Sequence, residues 1–75
     1  MSVANKVKTV MQFKGKDHAG LAAHLGISKQ ALSNKFYRDS FSAVDLIKIA
    51  EYTECPIAFI ANDNMNVVLD RSDIK

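Results

Sequence analysis

Leu21 to Arg38 reads LAAHLGISKQALSNKFYR, a stretch dense in side chains that donate and accept hydrogen bonds in pairs. At 100° per residue, Lys29, Gln30, Ser33, Asn34 and Tyr37 fall within one arc of about 140°, while Leu32 and Phe36 lie four apart on another face. A helix so divided packs on one side and presents amide, hydroxyl, phenol and ammonium groups on the other. Carboxamides hold adenine through two hydrogen bonds and Lys reaches guanine or phosphate, so the chemistry this arc fits is the reading of base edges in a DNA major groove. Ser28 can accept from an unpaired amide of the first turn, which marks the start of that helix. Gly26-Ile27 supplies a tight turn from a shorter helix before it.

The combination of Ala22, Gly26 and Leu32, with Leu21 and Leu25 ahead and Ser28-Lys29-Gln30 opening the second helix, resembles the helix-turn-helix of the Cro and CI-type (XRE-like) phage repressors. Within that superfamily it is similar to the small single-domain regulators of bacteria and phages, over residues 3 to 54. The shared positions have physical reasons. Ala22 lets two helices cross closely, and Gly26 can take the positive φ of a tight interhelical turn.

The resemblance implies sequence-specific binding of double-stranded DNA by a transcriptional regulator, with repression the expected outcome and residues 28–38 the recognition helix. Direct base reading falls to Lys29, Gln30, Ser33 and Asn34. Backbone phosphates are assigned to Lys14, His18, Ser28, Lys35, Tyr37, Arg38, Ser40 and Ser42, which set register and carry no sequence information. His18 takes that role because the resemblance places a phosphate at the start of the second helix. The connector amides near Phe41 and Ser42 are expected at the backbone on the same ground. Lys35 departs from the family, where an aliphatic residue is common. It lies nearer Ala31 and Leu32 than the polar arc, and is expected to run along the core edge to a phosphate.

Charge is distributed to match. Residues 1–38 hold seven Lys or Arg against Asp17 alone, a balance of +6; residues 39–75 hold three bases against seven acids, −4, which gives the formal +2. The basic half is the half that carries the motif, as a phosphate-facing surface requires. Seventy-five residues allow one domain with a small core. No apolar run approaches the roughly 20 residues of a membrane span. Cys55 is the only cysteine, and no signal-peptide pattern opens the chain; the expected location is the cytoplasm, at the nucleoid. No nucleophile with a base, no phosphate-cradling glycine loop, no carboxylate pair and no metal-ligand spacing is present, so neither an enzyme nor a cofactor, zinc site or small-molecule ligand is expected. Cys55, beside Pro56, reads as a small core residue.

The fold class expected is mainly α: a four-helix, lambda-repressor-like helix-turn-helix domain with a C-terminal β-hairpin. Val3, Val7, Val10 and Met11 set an amphipathic first helix ending near Phe13. Asp17 caps a second over residues 18–25, with His24 on its far side. Ser42-Ala43-Val44-Asp45 is a capping box that opens a fourth, in which Leu46, Ile47, Ile49, Ala50 and Thr53 face inward and Lys48, Glu51 and Tyr52 outward. After Pro56, where the common phage repressor plan has a fifth helix, residues 56–61 and 65–70 are rich in strand formers around Asn62-Asp63-Asn64, which favours a hairpin over that helix. Its two apolar faces need cover, and a second copy would supply it, so Ile57, Phe59, Ile60, Val67 and Leu69 are expected to form a homodimer contact. Residues 71–75 read as a flexible tail. The rival from another class is an adaptor or antirepressor that keeps the scaffold without binding DNA.

Overall fold

The computed structural model describes residues 2–74. Four helices, α1 (Val3–Lys14), α2 (His18–Leu25), α3 (Lys29–Arg38) and α4 (Ala43–Thr53), precede an antiparallel hairpin of β1 (Ile57–Asn62) and β2 (Met65–Leu69) and a 3-10 turn at Arg71–Asp73. Each helix starts on a side chain that accepts an orphan amide: Ser2 from Asn5, Asp17 from Gly20, Ser28 from Ala31 and Ser42 from Asp45. α1 and α2 end on glycines with φ of 66° and 74°, Gly15 and Gly26. α3 and α4 end on Asp39 and Glu54, which take the same left-handed conformation with a Cβ. The Asp39 carboxylate, set at the end of α3, accepts the Ala4 amide at 2.6 Å and so caps the N-terminus of α1 as well.

The core is Val7 and Met11 of α1, Leu21, Ala22 and Leu25 of α2, Leu32 of α3 and Ile49 of α4, with Ile27, Phe36, Phe41, Leu46 and Tyr52 packed around it. Two expectations about which residues turn inward need correction. On α1 the buried stripe is Ala4, Val7 and Met11; Val3 is exposed and Val10 half-buried. Those two valines instead line a groove of about 320 Å³ between α1, α4 and the start of β1, with Leu46 and Ala50 on its far wall. On α4, Tyr52 turns inward: its ring packs on the core and its hydroxyl donates to the Asp17 carbonyl at 3.2 Å. Gly20 of α2 leaves room for it, because a Cβ there would collide with the Tyr52 hydroxyl and lie 2.9 Å from its Cζ.

The hairpin pairs Ile57 with Leu69, Ala58 with Val68, Phe59 with Val67 and Ile60 with Asn66, and a bulge at Ala61 shifts the register to Asn62 opposite Met65. Asn62 accepts the Asn64 amide at 2.8 Å, the side-chain-to-backbone bond expected of this turn. A strand pair therefore stands where a fifth helix was the alternative. Beyond it the expected loose tail is held down over its described part. Asp70 caps the 3-10 turn, and Arg71 forks onto both oxygens of Glu51 at 2.6 Å. Arg71, and then His24 at 3.3 Å, hold the Glu51 carboxyl below its ordinary value against the effect of burial. Lys75 lies outside the described residues.

Candidate nucleic-acid interface

The outer face of α3 follows from its sequence. Leu32 is 1% exposed and anchors the helix, and Phe36, four residues on, packs beside it. A helix fixed by that pair must turn the opposite arc to solvent. Lys29, Gln30, Ser33 and Asn34 are all exposed, as is Tyr37 at 90%. Gln30 donates to the Asn34 side chain at 3.4 Å, so the two carboxamides stand together one turn apart. No other segment of the chain hydrogen-bonds to them among the described residues.

Of the residues assigned to phosphates, Lys14, His18, Ser28, Tyr37, Arg38, Ser40 and Ser42 are exposed. His18, the first residue of α2, stacks on the Phe36 ring with centroids 4.9 Å apart and planes 10° from parallel. The Ser28 oxygen accepts the Ala31 amide at 3.0 Å and the Ser42 oxygen accepts the Asp45 amide at 3.0 Å, which leaves each hydroxyl hydrogen free to donate.

Asp45 changes two of the assignments. Its Oδ2 accepts from Lys35 Nζ at 2.8 Å and from the Ser42 amide at 3.0 Å. The Lys35 ammonium is therefore engaged within the protein, where a reach to phosphate was expected, and the Ser42 amide is not a free donor. Burial alone would push the Asp45 carboxyl up, but the bonds from Lys35 and Ser42 outweigh it and leave the group below its ordinary value. The capping box was legible from Ser42 and Asp45; the ion pair across ten residues was not, since only the fold brings the end of α3 to the start of α4. Asp39, whose carboxylate caps α1, was missed in the same way.

At the other end of the molecule Phe59 is 69% exposed and Ile60 79%, and Val67, Val68 and Met65 are each about half exposed. Ile57 and Leu69, which complete the expected dimer set, are half-buried at the base of the hairpin, where they border grooves against α4. Among the described residues no helix is long and apolar enough to cross a membrane, and no group of three His, Cys, Asp or Glu gathers to hold a metal ion.

Four capped helices, a turn at Gly26 and an uncovered polar face on the helix that follows agree with one family comparison: the bacteriophage CI repressor helix-turn-helix domain matches residues 3–65. The chain belongs to that family. The match runs past the four helices and through β1 and its turn, beyond the 3–54 over which the resemblance could be read from the motif, and stops at Met65, the first residue of β2. As a member of the CI repressor domain family the chain is a DNA-binding transcription regulator. No curated protein and no solved structure matches it.

Proposed function

We propose that the chain is a homodimeric repressor that places α3 in the major groove of double-stranded DNA and acts at the nucleoid, in the cytoplasm. The observation that carries this reading is the outer face of α3, where Lys29, Gln30, Ser33 and Asn34 are exposed in one arc on the basic half of the chain. Lys29, Gln30, Ser33 and Asn34 read base edges; Gln30 and Asn34 suit adenine, and Lys29 guanine. His18, Ser28, Tyr37, Arg38, Ser40, Ser42 and Lys14 meet the phosphates that fix register. Dimerisation follows from size: one module of this kind covers roughly 600–1,000 Å² and binds weakly, and a two-fold pair reading half-sites about 34 Å apart recovers affinity and specificity. The exposed Phe59, Ile60 and Val67 supply the apolar contact, continued at its base by Ile57 and Leu69.

Selection of bound fragments from random DNA tests the reading. A palindromic consensus with half-sites one helical turn apart is expected, together with a light-scattering mass of twice 8.3 kDa at micromolar concentration. Unselected, salt-insensitive recovery would remove DNA binding from the account and leave the adaptor alternative. A mass of 8.3 kDa alone would remove the dimer.

A further inference from the structure

Beside the polar arc, three helices converge on the Phe36 ring. Lys8 comes from α1, His18 from the start of α2, and Ser33 and Tyr37 from α3; with Phe36 they line a surface recess of about 300 Å³. Every polar side chain in that lining can donate a hydrogen bond, and none is a carboxylate. Lys8 Nζ sits 5.4 Å from the Phe36 centroid, and the His18 ring stacks on the same phenyl group. Phe36 is itself braced by Phe41, edge-on at 5.2 Å.

We infer that this recess seats one phosphate group, and that Lys8 supplies its principal charge. A cation over an aromatic ring is held without being neutralised, so the ammonium keeps its three donors for an anion. No acidic group lies within ion-pair distance of Lys8 among the described residues, in contrast to Lys35, which Asp45 occupies. Because the rings hold Lys8 and His18 in place, less side-chain freedom is lost when the anion arrives.

The inference rests on the proposed DNA reading for the source of the phosphate, a phosphodiester of the duplex bordering the bases under α3. It adds a contact from α1, a helix outside the helix-turn-helix, and moves Ser33 from the base edges to the backbone. One phosphodiester touched by three helices fixes both the depth and the rotation of α3 in the groove.

The test has two arms on the full chain. In the first, inorganic phosphate is titrated and followed by NMR. Saturable shifts are expected at Lys8, His18, Ser33 and Tyr37, and Lys8→Gln should weaken them roughly fivefold or more, the scale of one charge-assisted contact, while Lys8→Arg restores them. In the second, binding to duplex DNA is measured against salt. Lys8→Gln should lower the log-log slope by about 1, whereas Lys6→Gln, the same charge change on α1 outside the recess, should leave it near the wild-type value. Absence of saturable phosphate shifts at these residues, or equal effects of Lys8→Gln and Lys6→Gln on the salt slope, overturns the inference. Phosphate seating without any salt-sensitive DNA binding by the wild type overturns instead the duplex as the source, and with it the proposed function.

Discussion

Asp45→Asn tests how the interface is held in shape. Asp45 Oδ2 takes two donors at once, the Lys35 ammonium at 2.8 Å and the Ser42 amide at 3.0 Å, with side chains only 15% exposed for Asp45 and 28% for Lys35. An exposed ion pair contributes about 0–1 kcal/mol, and breaking a fully buried one costs about 3–5 kcal/mol. A pair of this burial falls between, and the weakened cap adds some tenths. The substitution should therefore destabilise by about 1–3 kcal/mol, which for a domain of this size lowers Tm by roughly 6–19 °C. The pH dependence gives the sign. The folded carboxyl lies below its ordinary value of 3.8, so its stabilisation is full above that value and disappears as pH falls through the lower folded one. Thermal melts followed by circular dichroism at pH 7 and at pH 3 and below should show a gap between wild type and Asp45→Asn that is full at neutrality and closes in acid. Equal Tm values at pH 7, or a gap that persists unchanged into acid, would refute the assignment.

Lys35→Gln should lower stability at pH 7 and leave the salt slope of DNA binding unchanged; a slope reduced by about 1 in a salt titration would return Lys35 to the phosphate set. Phe59→Lys, at a site 69% exposed, should leave the melting of the helical body near wild type while light scattering shifts from twice 8.3 kDa to 8.3 kDa and DNA affinity drops at least tenfold; an unchanged mass would place the contact elsewhere. Gly20→Ala, which in an ordinary exposed helix would stabilise by up to about 1 kcal/mol, should instead destabilise by about 1–3 kcal/mol, because the new methyl displaces Tyr52 from Asp17. Pairing it with Tyr52→Leu should recover part of that loss in a denaturant melt, and strict additivity of the two changes would count against the clash.

Local chemistry made most of the fold legible. Asp17, Ser28 and Ser42 named three helix starts, Gly26 a turn, and the spacing of Leu32 and Phe36 set which face of α3 turns outward. Asn62-Asp63-Asn64 between runs of strand formers pointed to the hairpin, although short apolar runs read alike in strand and helix. The errors came from distance along the chain. Lys35 and Asp45 are ten residues apart, Ala4 and Asp39 thirty-five, and Asp17 and Tyr52 thirty-five. No periodicity encodes such pairs. Val3 and Val10 misled for a related reason: an apolar residue on a helix can line a groove as well as fill a core. Lys8 shows the same limit within the interface, since on α1 it is one lysine among several, and only the packing of α1 against α3 brings it over Phe36.

Binding of Gln30→Ala to the consensus obtained by selection, and to scrambled DNA of equal length, tests base reading by α3 most directly. The exposed Gln30 carboxamide should be worth about 1–3 kcal/mol on the consensus, roughly 5- to 150-fold in Kd, with little change on scrambled DNA and a relaxed preference at one position of each half-site. Equal losses on both DNAs would contradict the account, because the outer face of α3 would then be meeting the duplex without reading it.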